Sequence, residues 1–175
     1  MKIPEFKIRT DLALEEREGL KEAAEEVSGV SFKKWEGKRS AAQITEVKVL
    51  NEHGAKALGK PMGSYLTREA DKLLMPDEDF HSEVSDELAL LLKGLLKQKT
   101  GKNILVAGLG NQSVTPDSLG PRTVSNLCVS AEGLKAIAPG VMAQTGMETA
   151  RILLGIIKEV QPDLVIAIDA LAARS

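Results

Sequence analysis

Two short and almost wholly apolar segments most constrain the fold of this chain. Residues 103–107 (NILVA) and 164–168 (LVIAI) are rich in Leu, Ile and Val, as are strands that are buried on both faces of a sheet. Helical patterns lie between them, over residues 119–129 and 147–160, on either side of an irregular loop at 139–146. Because strands that alternate with helices form parallel sheets, the sequence predicts the α/β class, with a mostly parallel sheet flanked by helices.

The first hundred residues are more charged and more broken. Apolar side chains at helical spacing predict helices over residues 11–27 and 82–97, and alternating side chains predict a half-buried strand over 45–50. Residues 55–58 are a weak candidate for a second, short strand. Clusters of polar residues, Gly and Pro predict a basic loop at 28–40 and turns at 51–54 and 59–63.

The length of the chain bounds the number of domains. With 175 residues it can form one ordinary domain with a sizeable core, and we expect residues 1–175 to belong to a single domain. The sequence stops soon after the second apolar strand, and a helix-covered parallel sheet with so few strands is incomplete. We therefore expect the sequence to be a fragment of a longer protein.

Composition argues against several classes of protein. The 23 Lys and Arg residues are balanced by 25 Asp and Glu residues, and only three Phe, one Tyr and one Trp are present, so we expect no nucleic-acid partner. No apolar run approaches the roughly 18 residues of a membrane span, and we expect no membrane partner. The one cysteine, Cys128, excludes an internal disulfide and is predicted to be a small core residue. These features predict a soluble cytoplasmic protein.

An acidic residue follows each of the two apolar strands. Asp117 lies in the loop after residues 103–107, and Asp169 comes directly after residues 164–168. In open parallel sheets the functional crevice lies beyond the carboxyl ends of the strands. If the two strands are neighbours, we therefore expect the two carboxyl groups to lie close together.

Two neighbouring carboxyl groups cannot both ionise cheaply, so one keeps a proton near neutral pH. The ionised group can act as a base on water while the protonated one polarises a carbonyl, which is the chemistry of peptide-bond cleavage without a covalent intermediate. A simpler interpretation remains open for each residue: Asp117 could form an Asx turn or cap the helix at 119–129, and Asp169 could cap a following helix.

Other candidate sites are weaker. Gly108 and Gly110 follow a strand, as in dinucleotide-binding loops, but the third glycine position is Ser113. A non-catalytic module that binds an anion or a nucleotide through this loop remains an alternative, as does an interaction subunit that uses the helix at 82–97. His53 and His81 lack a partner at metal-ligand spacing and are predicted to be surface residues.

Four motifs, taken together and in this order, resemble one known family. They are residues 9–13 (RTDLA), 108–121 (GLGNQSVTPDSLGP), 139–149 (PGVMAQTGMET) and 167–175 (AIDALAARS). The family is that of the germination proteases, or spore proteases, of spore-forming Firmicutes. The resemblance spans most of the chain, although the connection before Pro139 is shorter than expected for the family.

The resemblance implies an atypical aspartic endopeptidase that degrades small acid-soluble spore proteins in the cytoplasm of the spore core during germination. It implies Asp117 and Asp169 as catalytic residues, no cofactor, and a homotetramer. It also implies a phosphorylase/hydrolase-like α/β fold and an autoprocessed zymogen, with a propeptide at residues 1–12. The C-terminal part of the family's domain is then missing from this sequence.

The sheet and its glycine-rich loop are also similar to the hydrogenase maturation endopeptidases, which bind a metal ion through acids at equivalent strand ends. That similarity keeps a second mechanism open, in which Asp117 and Asp169 hold a divalent metal ion. We favour the metal-free pair of aspartates, which can share a proton.

Overall fold

The computed structural model of this protein describes residues 28–38, 40, 42–96, 103–129 and 133–171. They fall into two compact units, with the change between them at Leu95 and Leu96. The helix predicted over residues 11–27 and the propeptide expected at residues 1–12 lie outside the described residues. Within those residues, no helix has the length and apolar character needed to cross a membrane.

The first unit is built on a three-stranded antiparallel sheet with the order β1-β2-β3. Its elements are β1 (Val30–Glu36), β2 (Gln43–Val49), α1 (Glu52–Leu58), β3 (Gly63–Glu69), a short 3-10 turn (Asp71–Leu74) and α2 (Glu78–Leu96). The central strand β2 buries Val47 and Val49, which pack with Leu58 of α1 in a small core. The sheet therefore has one apolar face that is covered by the short helix.

Three details of this unit differ from the sequence prediction. The basic loop predicted at residues 28–40 was wrong, because β1 occupies Val30–Glu36 and pairs with β2 along its whole length. The predicted turn at residues 51–54 is the start of α1, where the side chain of Asn51 accepts a hydrogen bond from Gly54 N. The short strand considered at residues 55–58 is therefore helical, and the strand that pairs with β2 on its other side is β3.

A buried ion pair links α2 to the sheet. The Arg68 guanidinium on β3 lies 2.5 Å from the Glu87 carboxylate on α2, and the two side chains are 9% and 10% exposed. Ser40 joins the pair, since its Oγ lies 2.6 Å from both Arg68 Nη2 and Glu87 Oε2. Arg68 Nη1 also donates to the carbonyl of Val84 on α2. A charged cluster, and not only apolar packing, thus holds this long helix in place.

The second unit is built on a three-stranded parallel sheet with the order β5-β4-β6. Its elements are β4 (Ile104–Gly108), a 3-10 turn (Thr115–Asp117), α3 (Leu119–Ser125), β5 (Leu134–Ile137), α4 (Met142–Thr145), α5 (Thr149–Val160) and β6 (Leu164–Ile168). The central strand β4 buries Leu105, Val106 and Ala107 almost completely. This is the continuous apolar run expected of a central parallel strand.

The α/β class is confirmed, and β6 has the predicted bounds. Half of the described strands nevertheless belong to the antiparallel sheet, so a mostly parallel sheet describes the second unit and not the first. The helix predicted over residues 119–129 ends at Ser125. The short strand β5 was not predicted, and a single turn of helix, α4, interrupts the loop predicted at 139–146.

Candidate functional site

The carboxyl ends of β4 and β6 lie side by side. Gly108 pairs with Ile168 at the end of the parallel ladder, and Leu109 N donates a hydrogen bond to Ile168 O at 2.8 Å. Asp169 follows Ile168 directly and is exposed. The structure therefore places Asp169 at the edge of the sheet from which the loop after β4 departs, as the sequence predicted.

The loop after β4 folds back so that its last residues meet its first. Gly110 has a φ of +113°, and a Cβ built on it would lie 2.1 Å from the carbonyl oxygen of Asp117. Only glycine fits this close approach with a backbone in the left-handed region. Asp117 ends the short 3-10 turn, is half-buried, and accepts a hydrogen bond from Asn111 N on Oδ2 at 2.7 Å. The loop therefore fixes one oxygen of the Asp117 carboxylate.

The first turn of α3 packs against the carboxyl ends of both β4 and β6. A Cβ built on Gly120 would lie 2.4 Å from Ile168 O and 2.4 Å from Leu109 O. A residue with a side chain could not come so close to two backbone oxygens. Because Asp117 lies three residues before this contact, the structure positions both acids at the same edge of the β4–β6 pair. Their catalytic roles stay a prediction.

The simpler interpretation of Asp117 as a helix cap does not describe what its side chain does. Ser118 is the N-cap residue of α3, which has no side-chain cap hydrogen bond, and the Asp117 carboxylate binds the backbone of its own loop instead. Asp169 Oδ1 accepts from the backbone N–H of Ala170 at 2.9 Å. The segment that Asp169 would cap extends beyond the described residues, so that alternative stays open.

A contact between two loops was not foreseen from the sequence. Gln144 on α4 donates a hydrogen bond from Nε2 to Asn111 Oδ1 at 2.8 Å, and Asn111 in turn binds Asp117 through its backbone N–H. The residues lie 33 positions apart in the chain. The available signal was that both belong to motifs of the family resemblance, at 108–121 and 139–149, but nothing in either motif indicated that their side chains meet.

The chemistry of this edge favours a carboxylate site over an anion site. The Asn111 N–H, which an anion bound by the glycine-rich loop could use, is already occupied by the Asp117 carboxylate. A bound phosphate would also be repelled by that carboxylate. For a metal ion, no group of three or more His, Cys, Asp and Glu side chains in ligand positions occurs among the described residues. Of the predicted ligands, the structure brings Asp117 and Asp169 to this edge, and the other ligands would be water or substrate.

The remaining candidates belong to other elements of the chain. His53 is on α1 and His81 on α2, both in the first unit, and His81 Nε2 lies 3.2 Å from the carbonyl oxygen of Leu73. Cys128 is exposed. The prediction that Cys128 is a core residue was wrong, because α3 ends at Ser125 and the cysteine lies on the segment that follows.

Comparisons with known proteins agree on one family. The family model described as germination protease matches residues 8–175 of this chain. A germination protease of Caldanaerobacter subterraneus subsp. tengcongensis is 48% identical over an alignment of 181 positions, gaps included. The alignment covers 95% of this chain and 55% of that protein. One from Clostridium perfringens is 39% identical, covering 97% of this chain and 56% of its own length.

A third relative extends the comparison to another genus. The germination protease of Oceanobacillus iheyensis is 40% identical over 194 residues, covering 97% of this chain and 52% of that protein. The chain thus spans about half the length of the curated relatives that it matches.

Proposed function

The chain belongs to the germination protease family, and we propose that it carries the water-activating acid pair of an endopeptidase that acts in spore germination. One observation carries the proposal: Asp117 and Asp169 lie at the same edge of the sheet, where β4 and β6 end side by side. The family is one of peptidases, and hydrolysis of a peptide bond requires a base for water and an acid for the carbonyl oxygen and the leaving nitrogen.

The proposed reaction uses both protonation states of the pair. The ionised carboxylate accepts a proton from water, whose oxygen bonds to the carbonyl carbon of the substrate. The protonated carboxyl group donates a hydrogen bond to the carbonyl oxygen, on which negative charge develops. The tetrahedral intermediate then breaks its C–N bond, and the amine nitrogen takes a proton from the acid pair. Asn111 N–H binds Oδ2 of Asp117, and we assign the other oxygen, Oδ1, to the attacking water.

The remaining features of the proposal are supported by the family resemblance. We propose small acid-soluble spore proteins as the substrates, the cytoplasm of the spore core as the location, and a homotetramer as the assembly. We also propose that the protein is made as a zymogen that loses an N-terminal segment around residues 1–12, and that a single peptidase domain includes residues 1–175 together with a C-terminal part. The aspartate pair needs no cofactor.

The alternative mechanism uses the same two residues. In it, Asp117 and Asp169 bind a divalent metal ion that activates the water, as the resemblance to the hydrogenase maturation endopeptidases implies. Among the described residues, no cluster of three or more metal-binding side chains accompanies the two acids, and a pair of aspartates can activate water by sharing a proton without a metal ion. We therefore propose the metal-free pair.

The test is cleavage of a small acid-soluble spore protein after removal of residues 1–12. The chain is assayed alone and as a chimera with the part of the Caldanaerobacter relative that lies outside the match. We expect Asp117→Asn and Asp169→Asn each to lower kcat by about a hundredfold or more. Glu159→Gln, which neutralises an exposed acid on α5, should leave it unchanged. Retained activity in both aspartate variants would contradict the proposal.

A further inference from the structure

We propose that Gln144 is a positioning residue that holds Asn111, and through Asn111 the carboxylate of Asp117, in the orientation needed for catalysis. The inference rests on the proposed function for its catalytic consequence. Its structural part, that the orientation of Asp117 depends on Gln144, rests on hydrogen bonds in the second unit and can be tested without activity.

The hydrogen bonds form a continuous path from α4 to the acid. Gln144 Nε2 donates to Asn111 Oδ1 at 2.8 Å, and Asn111 N donates to Asp117 Oδ2 at 2.7 Å. Asn111 Oδ1 also accepts a hydrogen bond from Ser113 N at 3.0 Å. Asn111 is therefore the residue on which the geometry of the loop depends, since its side chain is held by two donors while its backbone N–H holds the carboxylate.

Gln144 is itself held by its own turn. Its side-chain oxygen accepts a hydrogen bond from the backbone N–H of Val141, the N-cap residue of α4, at 3.4 Å. The same turn is tied to α5, because Thr149 Oγ1 donates to the carbonyl of Gly140 at 3.1 Å. The amide of Gln144 thus uses its oxygen within its own loop and its nitrogen to reach the loop of Asp117.

This division of the amide separates two roles that a glutamine at this position could have. A capping role needs only the oxygen, which accepts from Val141 N. A positioning role needs the N–H, which donates to Asn111 Oδ1. Gln144→Glu keeps the side-chain oxygen and the shape of the side chain. It replaces the N–H donor by a second acceptor, which would face the side-chain oxygen Oδ1 of Asn111. Gln144→Lys keeps an N–H donor for Asn111 but lacks the acceptor for Val141.

A matched control separates the lost hydrogen bond from the added charge. Gln112 is exposed, lies in the loop of Asp117, and is adjacent to Asn111. Gln112→Glu therefore makes the same chemical change and adds the same negative charge close to Asp117 without removing the donor of Gln144. Circular dichroism and thermal melting of each variant establish that it is folded.

The first measurement is amide hydrogen exchange at Asn111 and Ser113, read by NMR. We expect Gln144→Glu to speed exchange at both amides by about fivefold, the effect of losing one ordinary hydrogen bond. Gln144→Lys and Gln112→Glu should exchange as the unaltered protein does. If Gln144→Glu leaves both rates unchanged, Gln144 only caps its own turn and the inference is wrong.

The second measurement is the cleavage assay described above. We expect Gln144→Glu to lower kcat by about tenfold or more with little change in KM, as when a reacting group is misplaced without loss of substrate binding. Gln144→Lys should recover most of that loss. Faster exchange with an unchanged kcat would overturn the catalytic part of the inference. If the unaltered protein cleaves nothing, the proposed function fails, whereas the exchange rates still decide whether Gln144 holds the loop of Asp117.

Discussion

At the scale of single residues, the ion pair between Arg68 and Glu87 shows how this small antiparallel unit tolerates buried charge. The two side chains are about nine-tenths buried, and their charged groups approach to 2.5 Å. The Ser40 hydroxyl donates a further hydrogen bond to Glu87, and the carbonyl of Val84 accepts one from Arg68. Burial makes each charge expensive on its own, so the stability of the unit depends on both partners being present.

Removing one partner should therefore cost more than removing both. We expect Arg68→Met to lower the free energy of unfolding by about 3 kcal/mol or more, because it removes one charged partner from an ion pair whose side chains are about nine-tenths buried. Adding Glu87→Leu to Arg68→Met should restore much of that loss. Urea denaturation followed by circular dichroism measures both values.

A more exposed ion pair of the same sheet supplies a control for this comparison. Lys48 Nζ lies 3.2 Å from Glu46 Oε1, and the two side chains are 40% and 16% exposed. Lys48→Met should change the free energy of unfolding by about 1 kcal/mol at most, since solvent reaches this pair and screens it. Equal destabilisation by Arg68→Met and by the double variant would show that the cluster does not act through charge.

At the scale of elements, the contact of α3 with two strand ends explains why the loop of Asp117 has a defined place. The close approach at Gly120 is to backbone oxygens, Ile168 O and Leu109 O, which cannot move aside as a flexible side chain can. The helix, β4 and β6 therefore form a single packed unit at the edge that carries both acids.

Adding a side chain at Gly120 should push α3 away from the ends of β4 and β6. We expect Gly120→Ala to lower the free energy of unfolding by about 2 kcal/mol and to lower cleavage activity, because α3 must shift away from the strand ends. Gly155→Ala is the matched control, since a Cβ at that position on α5 would meet nothing within 4 Å. It should be neutral or stabilising by about 0.5 to 1 kcal/mol. Similar losses from both substitutions would show that the close contact of α3 is unimportant.

The elements also show what the sequence alone can predict. The strands β4 and β6 and the helix α5 have strong local patterns, and because parallel strands end at one edge, the placement of Asp117 and Asp169 followed from those patterns. The edge strands β1 and β5 have weaker patterns. The C-terminal half of β1, residues 33–36, is exposed and consists mostly of charged residues, and β5 has only four residues. Their strand character comes from pairing with a neighbour, which no local pattern contains.

The contact between Gln144 and Asn111 could not be predicted for a related reason. It joins side chains of two loops, and its formation depends on how β4 and β5 align in the sheet. Sequence patterns give the element to which a residue belongs more reliably than the partner of its side chain. The site was therefore predictable as a pair of acids at an edge, but not as a network that holds one of them.

At the scale of the whole molecule, the two units contain different features. The second unit holds both proposed catalytic acids and most of the family motifs, whereas the first unit has its own sheet, its own core and its own charged cluster. Substitutions at Arg68 and Gly120 therefore examine different units. Since the chain covers 55% of the Caldanaerobacter relative and 56% of the Clostridium perfringens relative, activity is best measured in the chimera as well as in the chain alone.

The mechanism of the assembled protein can be decided by removing metal ions. We expect cleavage of a small acid-soluble spore protein to persist in an excess of a strong chelator, because a pair of aspartates can activate water by sharing a proton. Among the described residues, moreover, no cluster of three or more metal-binding side chains accompanies them. A control protease that requires zinc must lose its activity in the same buffer. Activity that disappears with the chelator and returns with one divalent ion would instead make Asp117 and Asp169 metal ligands.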